Sequence, residues 1–232
     1  MGFSTACMSG LILKNRISRP ANPSVQQKPV LSEAFVTNAT DAGVVGFVLA
    51  GLQDRVAPVL WVQDYLSQKE SGRPYLPGIG ATRPIIRVTV SRPLDVLWAM
   101  EEGLRCKTLA CVVGELWGDP KALNFTATKR LALRSEAAGT PCWLLRRSAS
   151  ADLSAARERW RISSLPSALH PEDAQAPGDP RWKAELFRSR SGSAGAWVAQ
   201  YDRSSDRIDL SAALRDGAVG EGDGTRRHAA AL

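Results

Sequence analysis

Apolar residues in this chain come in short unbroken blocks, separated by mixed stretches that carry Gly, Pro and Ser. Residues 42–52 (AGVVGFVLAGL) are apolar almost all round, which predicts a helix buried between a sheet and another layer. Thr40 or Asp41 stands where a side-chain oxygen would cap its first backbone N–H groups. Residues 58–62 (PVLWV), running into Gln63 and Asp64, lack polar alternation and predict a strand covered on both faces. The Gly- and Pro-rich segment 65–83 reads as a loop with room for one short helix. Residues 85–90 are largely β-branched and predict a second strand. Ser91 then caps a helix with Pro93 and Asp95 in its first turn, where a fixed φ and a carboxylate both help. Leu94, Leu97, Trp98 and Leu104 fall on one stripe of that helix. Trp98 is therefore expected to be inaccessible, as is Trp61 on the first of these strands.

Residues 109–114 (LACVVG) predict a third strand, residues 124–138 a helix stopped by Gly139, and residues 140–145 a fourth strand. Helices and strands in that order predict an α/β fold, a mostly parallel sheet covered by helices on both faces. The flanks are weaker. Residues 1–40 read as a loosely structured arm before a core spanning 41–166. Residues 159–162 suit a further strand, and 167–180 a Pro-rich linker. Residues 181–210 predict a C-terminal β-hairpin, with strands at 181–188 and 196–201 joined through Ser and Gly. The Gly-rich end, 211–232, is expected to be disordered.

Composition removes several classes. The 232 residues are 44% apolar and 23% charged, ordinary for a globular chain. No apolar run approaches the ~18–20 residues that a spanning helix needs, so no membrane role and a cytoplasmic location are expected. Cys7, Cys106, Cys111 and Cys142 form no CxxC pair, and His170 and His228 lack ligand-like spacing to them. Neither a metal site nor a disulfide framework is expected. The net charge of +7 matters more by its placement. Between Lys121 and Arg161, nine cations face three carboxylates. Lys129, Arg130 and Arg134 lie on the helix, Arg146 and Arg147 leave the fourth strand, and Arg157, Arg159 and Arg161 alternate. Such a surface suits phosphate contacts on DNA or an acidic protein partner, with a merely solvated basic face as the competing account.

An α/β order invites a search for nucleotide loops. A phosphate loop needs a glycine pair with Lys and Ser or Thr before the first helix, to cradle phosphates and hold Mg²⁺. The segment 35–41 (FVTNATD) has no Lys and no glycine, and it places a carboxylate where an anion would sit. Gly78 and Gly80 do not continue into a G-x-G-x-x-G fingerprint. With two histidines, one in the Pro-rich linker and one in the C-terminal tail, Ser–His or Cys–His catalysis is not expected. Asp64 and Glu115 follow the carboxyl ends of apolar strands, where α/β sheets bind ligands. The plainer use of such carboxylates is to cap the next turn.

The stretches PVLWVQD (58–64), DVLWAMEEGLRCKTLACVVGEL (95–116), FTATKRLALRSEAAGTPCWLLRR (125–147), ARERWRISSLPSA (156–168) and PRWKAELFRSRSG (180–192) resemble the ImuA family. These are RecA-like, SulA-related proteins of the bacterial inducible mutagenesis cassette. The resemblance implies a RecA-like core whose nucleotide site is degenerate. The strand-end acid that activates water falls near Asp64, the Walker B aspartate falls on Gly114 with Glu115 beside it, and the phosphate-loop lysine has no counterpart. It implies no cofactor and no ATPase activity, with DNA-binding loops near 117–124 and 147–156. It further implies an accessory role in SOS-induced translesion synthesis. The partners would be an ImuB-type polymerase-like adaptor and an error-prone C-family DNA polymerase, with RecA and single-stranded DNA as further candidates. A degenerate DNA-dependent ATPase and a SulA-like division inhibitor are the alternatives.

Overall fold

The computed structural model describes residues 28–52, 56–75, 83–173, 175–203 and 205–212. Along the chain run β1 (Leu31–Val36), α1 (Gly43–Ala50), β2 (Val59–Asp64), α2 (Tyr65–Ser71), β3 (Ile85–Val90) and α3 (Pro93–Gly103). Then come β4 (Cys111–Trp117), α4 (Phe125–Ala138), β5 (Cys142–Arg147), β6 (Glu158–Leu165), β7 (Arg181–Ser189), β8 (Gly195–Asp202) and β9 (Arg207–Ala212). The strands form one sheet in the order β3-β2-β4-β5-β1-β6-β7-β8-β9. The pairs from β3 to β6 are all parallel, and β6 to β9 pair antiparallel. The fold is α/β with a large mixed sheet.

Alternate residues of the central strands feed two cores. Val59 and Trp61 join Val44, Phe47 and Val48 of α1, whereas Leu60 and Val62 join Leu97 and Met100 of α3 and Leu131 of α4. Each such side chain, taken fully out of water, contributes about 1.5–3 kcal/mol. Local chemistry fixes the helix ends. The Asn124 Oδ1 accepts from the Ala127 N–H at 3.0 Å, and Gly139 closes α4 at φ 70°.

The structure corrects the sequence reading in four places. Residues 31–36 are not part of a loose arm but a central strand, because β1 lies between β5 and β6. Its pattern was disguised by Ser32 and Glu33, polar residues that are buried here. The C-terminal segment carries three strands that extend the sheet, and β9 takes in Ser211 and Ala212 of the expected tail. Residues 213–232 and 1–27 lie outside the described residues. Ser91 does not cap α3, since Arg92 holds the N-cap position without a side-chain bond and pairs with Asp95 instead. Trp61 is fully buried, but Trp98 is 65% exposed. Val96, Leu97, Met100 and Leu104 form the inward face, and the Leu94–Trp98 row at i and i+4 falls outside it.

Candidate functional site

Parallel strands end together, so the loops after β1, β2, β4 and β5 converge at one edge of the sheet. Glu115 of β4 is buried there and is saturated with donors. It accepts from Gln63 Nε2 at 2.8 Å, Ser71 Oγ at 2.9 Å, Trp61 Nε1 at 3.4 Å and Arg147 Nε. Arg147, also buried, turns its Nη1 to the loop after β1, donating to the Ala39 and Asp41 carbonyls at 2.9 and 2.8 Å. Asp41 completes the chain of contacts. Its carboxylate accepts from the Gly43 N–H at 2.7 Å and from the Ser164 N–H and hydroxyl at 2.7 and 2.6 Å. Burial pushes the Asp41 carboxyl up, but the Ser164 and Gly43 hydrogen bonds and nearby Arg147 outweigh it, leaving the group below the usual carboxylate range.

The start of α1 thus already holds an anion, the chain's own Asp41, at the place where a phosphate loop would present N–H groups. A cavity of about 450 Å³ opens beside this network, with Glu115 and Arg147 in its wall and Trp182 and Tyr75 at its sides. Asp64 is equally committed. Its carboxylate caps α2 by accepting from the Ser67 N–H at 2.7 Å. Gly114, the position the resemblance matches to a Walker B aspartate, packs closely on α3: a Cβ there would lie 2.1 Å from the Met100 sulfur. A side chain at this position requires the Met100 thioether to swing aside.

The expected basic surface divides. Arg146 and Arg159, like Arg147, are buried. Arg159 pairs with buried Glu33 at 2.7 Å and lies against both the Phe35 and Phe187 rings. Arg146 approaches the same Glu33 at 3.9 Å and binds Asp119 at 2.6 Å. Burial pulls the Arg146 guanidinium down, opposed by Glu33 and Asp119. These three leave the phosphate-facing surface, because each guanidinium is committed to an internal carboxylate. Asp119 also accepts from the Ser150 N–H at 3.0 Å, which ties the 117–124 and 147–156 loops together.

Lys129, Arg130, Arg134, Arg157 and Arg161 keep surface positions. Arg130 and Arg134 both hold buried Glu101, at 2.8 and 3.2 Å. Arg157 pairs with Glu136, and Arg161 pairs with Glu185 at 3.0 Å over the Phe187 ring. Charge counting over 121–161 missed Glu33, Glu101 and Glu185, which lie far away in sequence. The same strand–helix packing brings Arg188 and Arg190 of the β7 end beside Lys129, outside the counted window.

The chain matches no profile of a described protein family. It is similar to Protein ImuA of Caulobacter vibrioides, in strain NA1000 / CB15N and in strain ATCC 19089 / CIP 103742 / CB 15. Each is 33% identical over 181 residues, covering 71% of this chain and 69% of the relative. The similarity agrees with the sequence stretches that resemble that family, and the chain belongs to the ImuA family.

Proposed function

We propose that this protein is a cytoplasmic, non-hydrolysing, RecA-like accessory factor of SOS-induced error-prone translesion synthesis. It links RecA and damaged DNA to a mutagenic complex of an ImuB-type adaptor and a C-family polymerase. One observation carries the non-catalytic part of this reading. At the sheet edge where α/β proteins turn over nucleotides, Glu115, Arg147 and Asp41 satisfy one another and the α1 N-terminus. Among the described residues a phosphoryl group entering there meets no lysine, and the position that the resemblance matches to the Mg²⁺-binding aspartate is Gly114, packed on Met100. The RecA-like reading is supported by a first strand placed inside the parallel part of the sheet, with cores on both sides.

Phosphate release from ATP, measured with and without single-stranded DNA, tests the catalytic claim. The expected result is the blank rate in both. Turnover that disappears in Glu115→Gln or Asp64→Asn overturns it. Capture of the adaptor and polymerase by the wild-type chain in DNA-damaged cells tests the accessory role.

A further inference from the structure

Resting on that accessory reading, we propose that the groove between α4 and the end of β7 docks an acidic segment of a partner protein. A bulky apolar side chain of that segment lies between Phe125 and Leu133. Carboxylates on either side of it meet Lys129, Arg188 and Arg190.

The groove has a volume of about 540 Å³, and its walls come from α4, the segment before β6 and the end of β7. Phe125 and Leu133 are 44% and 51% exposed, a large apolar offering for one helix face. Ala132, Ala155 and Ala156 give the floor short side chains, leaving room for an inserted one. The rim is cationic. Lys129, Arg188 and Arg190 are exposed, and none of them forms an ion pair with a described residue. Arg157 stands beside them already engaged by Glu136, whose carboxyl that bond and nearby Arg190 hold below its ordinary range. The arginines of the basic region between Arg130 and Arg161 each pair with a carboxylate, some of them shared. Here the chain leaves cations unmatched around apolar surface.

This combination selects the occupant. Phosphates of a single strand would satisfy the cations, but bases need aromatic faces to stack on, and among the described residues the groove offers Phe125 alone. Leu133 and the alanine floor suit an aliphatic or aromatic side chain, as in grooves that take short peptide anchors. Complementary charge would speed encounter and fix register, while the anchor supplies the lasting contact.

The test uses the full chain and a fluorescein-labelled peptide with Asp and Glu flanking a single Leu-Phe pair, read by anisotropy. We expect binding that weakens as salt rises. The triple variant Lys129→Glu, Arg188→Glu, Arg190→Glu should lose at least about tenfold in affinity, and Leu133→Ser a similar factor. A charge-matched control, Lys69→Glu, Lys107→Glu, Lys183→Glu, should keep wild-type affinity. All these positions are exposed, and thermal melts confirm that each variant folds. Equal losses in the triple variant and its control overturn the proposal, as does undiminished binding to Leu133→Ser. So does preferential binding of a labelled oligo-dT strand that the triple variant abolishes. Adaptor capture separates the two readings: a wild-type chain that captures nothing sinks the accessory role, whereas capture retained by the triple variant sinks only the groove.

Discussion

Arg147 and Arg161 carry the same guanidinium and each pairs with one glutamate, yet they do opposite things for the molecule. Arg147 is buried with a buried carboxylate and ties Glu115 of β4 to the loop after β1. Arg161 is half-exposed on β6 and pairs with a partly exposed Glu185. Desolvation makes the difference. Removing Arg147 leaves Glu115 charged, buried and short of its strongest donor, whereas removing Arg161 leaves Glu185 to water. The buried pair therefore fixes geometry at the sheet edge, and the surface pair adds little. A cluster of arginines in a sequence is not one feature but two.

The largest expected effect breaks the comparison at its buried side. Arg147→Ala should lower unfolding free energy by about 3–5 kcal/mol, the usual result of orphaning a buried charge. Arg161→Ala should cost about 0–1 kcal/mol, as exposed pairs do. Urea denaturation of both variants checks this. Similar midpoints for the two would mean that Arg147 is not committed as the structure places it.

The tryptophans sharpen the same contrast without charge. Trp61 is fully buried in the α1 core, so Trp61→Ala should cost about 3–5 kcal/mol through the cavity it leaves. Trp98 is exposed on α3, and Trp98→Ala should stay within about 0.5 kcal/mol. Acrylamide quenching of single Trp→Phe variants against the wild type provides an independent check. Trp98→Phe should remove a readily quenched part of the emission, and Trp61→Phe a part that hardly quenches.

Much of the fold was legible because buried parallel strands write themselves as apolar blocks. Residues 85–90 match β3 residue for residue, and residues 42–52 contain the whole of α1. What escaped was polar and buried. Glu33 hides β1 because its partners Arg159 and Ser154 stand more than a hundred residues later, and a local window sees only an acid in a short run. The Trp98 phase failed for a related reason. Two apolar rows compete on α3, and the sheet that decides between them is not local. At the site, Asp41 and Glu115 stood at legible positions, but their roles depend on Arg147 and Ser164, whose approach only the folded sheet arranges. Arg188 and Arg190 could have been found by extending the charge count past the Pro-rich segment to the next strand pair.

Asp41 gives the smallest effect and the most direct probe of the boundary between the two regions. It is half-buried, joined on one side to the Arg147 network and on the other to β6 through Ser164. Its folded carboxyl lies below the ordinary value, because the Ser164 and Gly43 hydrogen bonds and Arg147 outweigh the cost of burial. The folded state therefore holds this proton more weakly than the unfolded chain does. The resulting stabilisation is fully present above the unfolded pKa of about 3.8 and is lost as pH falls through the folded value. Asp41→Asn keeps an oxygen for Gly43 and Ser164 but has no proton to exchange. Thermal melts of wild type and Asp41→Asn should differ by a constant amount near neutral pH and converge as pH drops through the acid range. A difference that persists unchanged to the lowest pH at which both still fold would show that Asp41 is not ionised in this network.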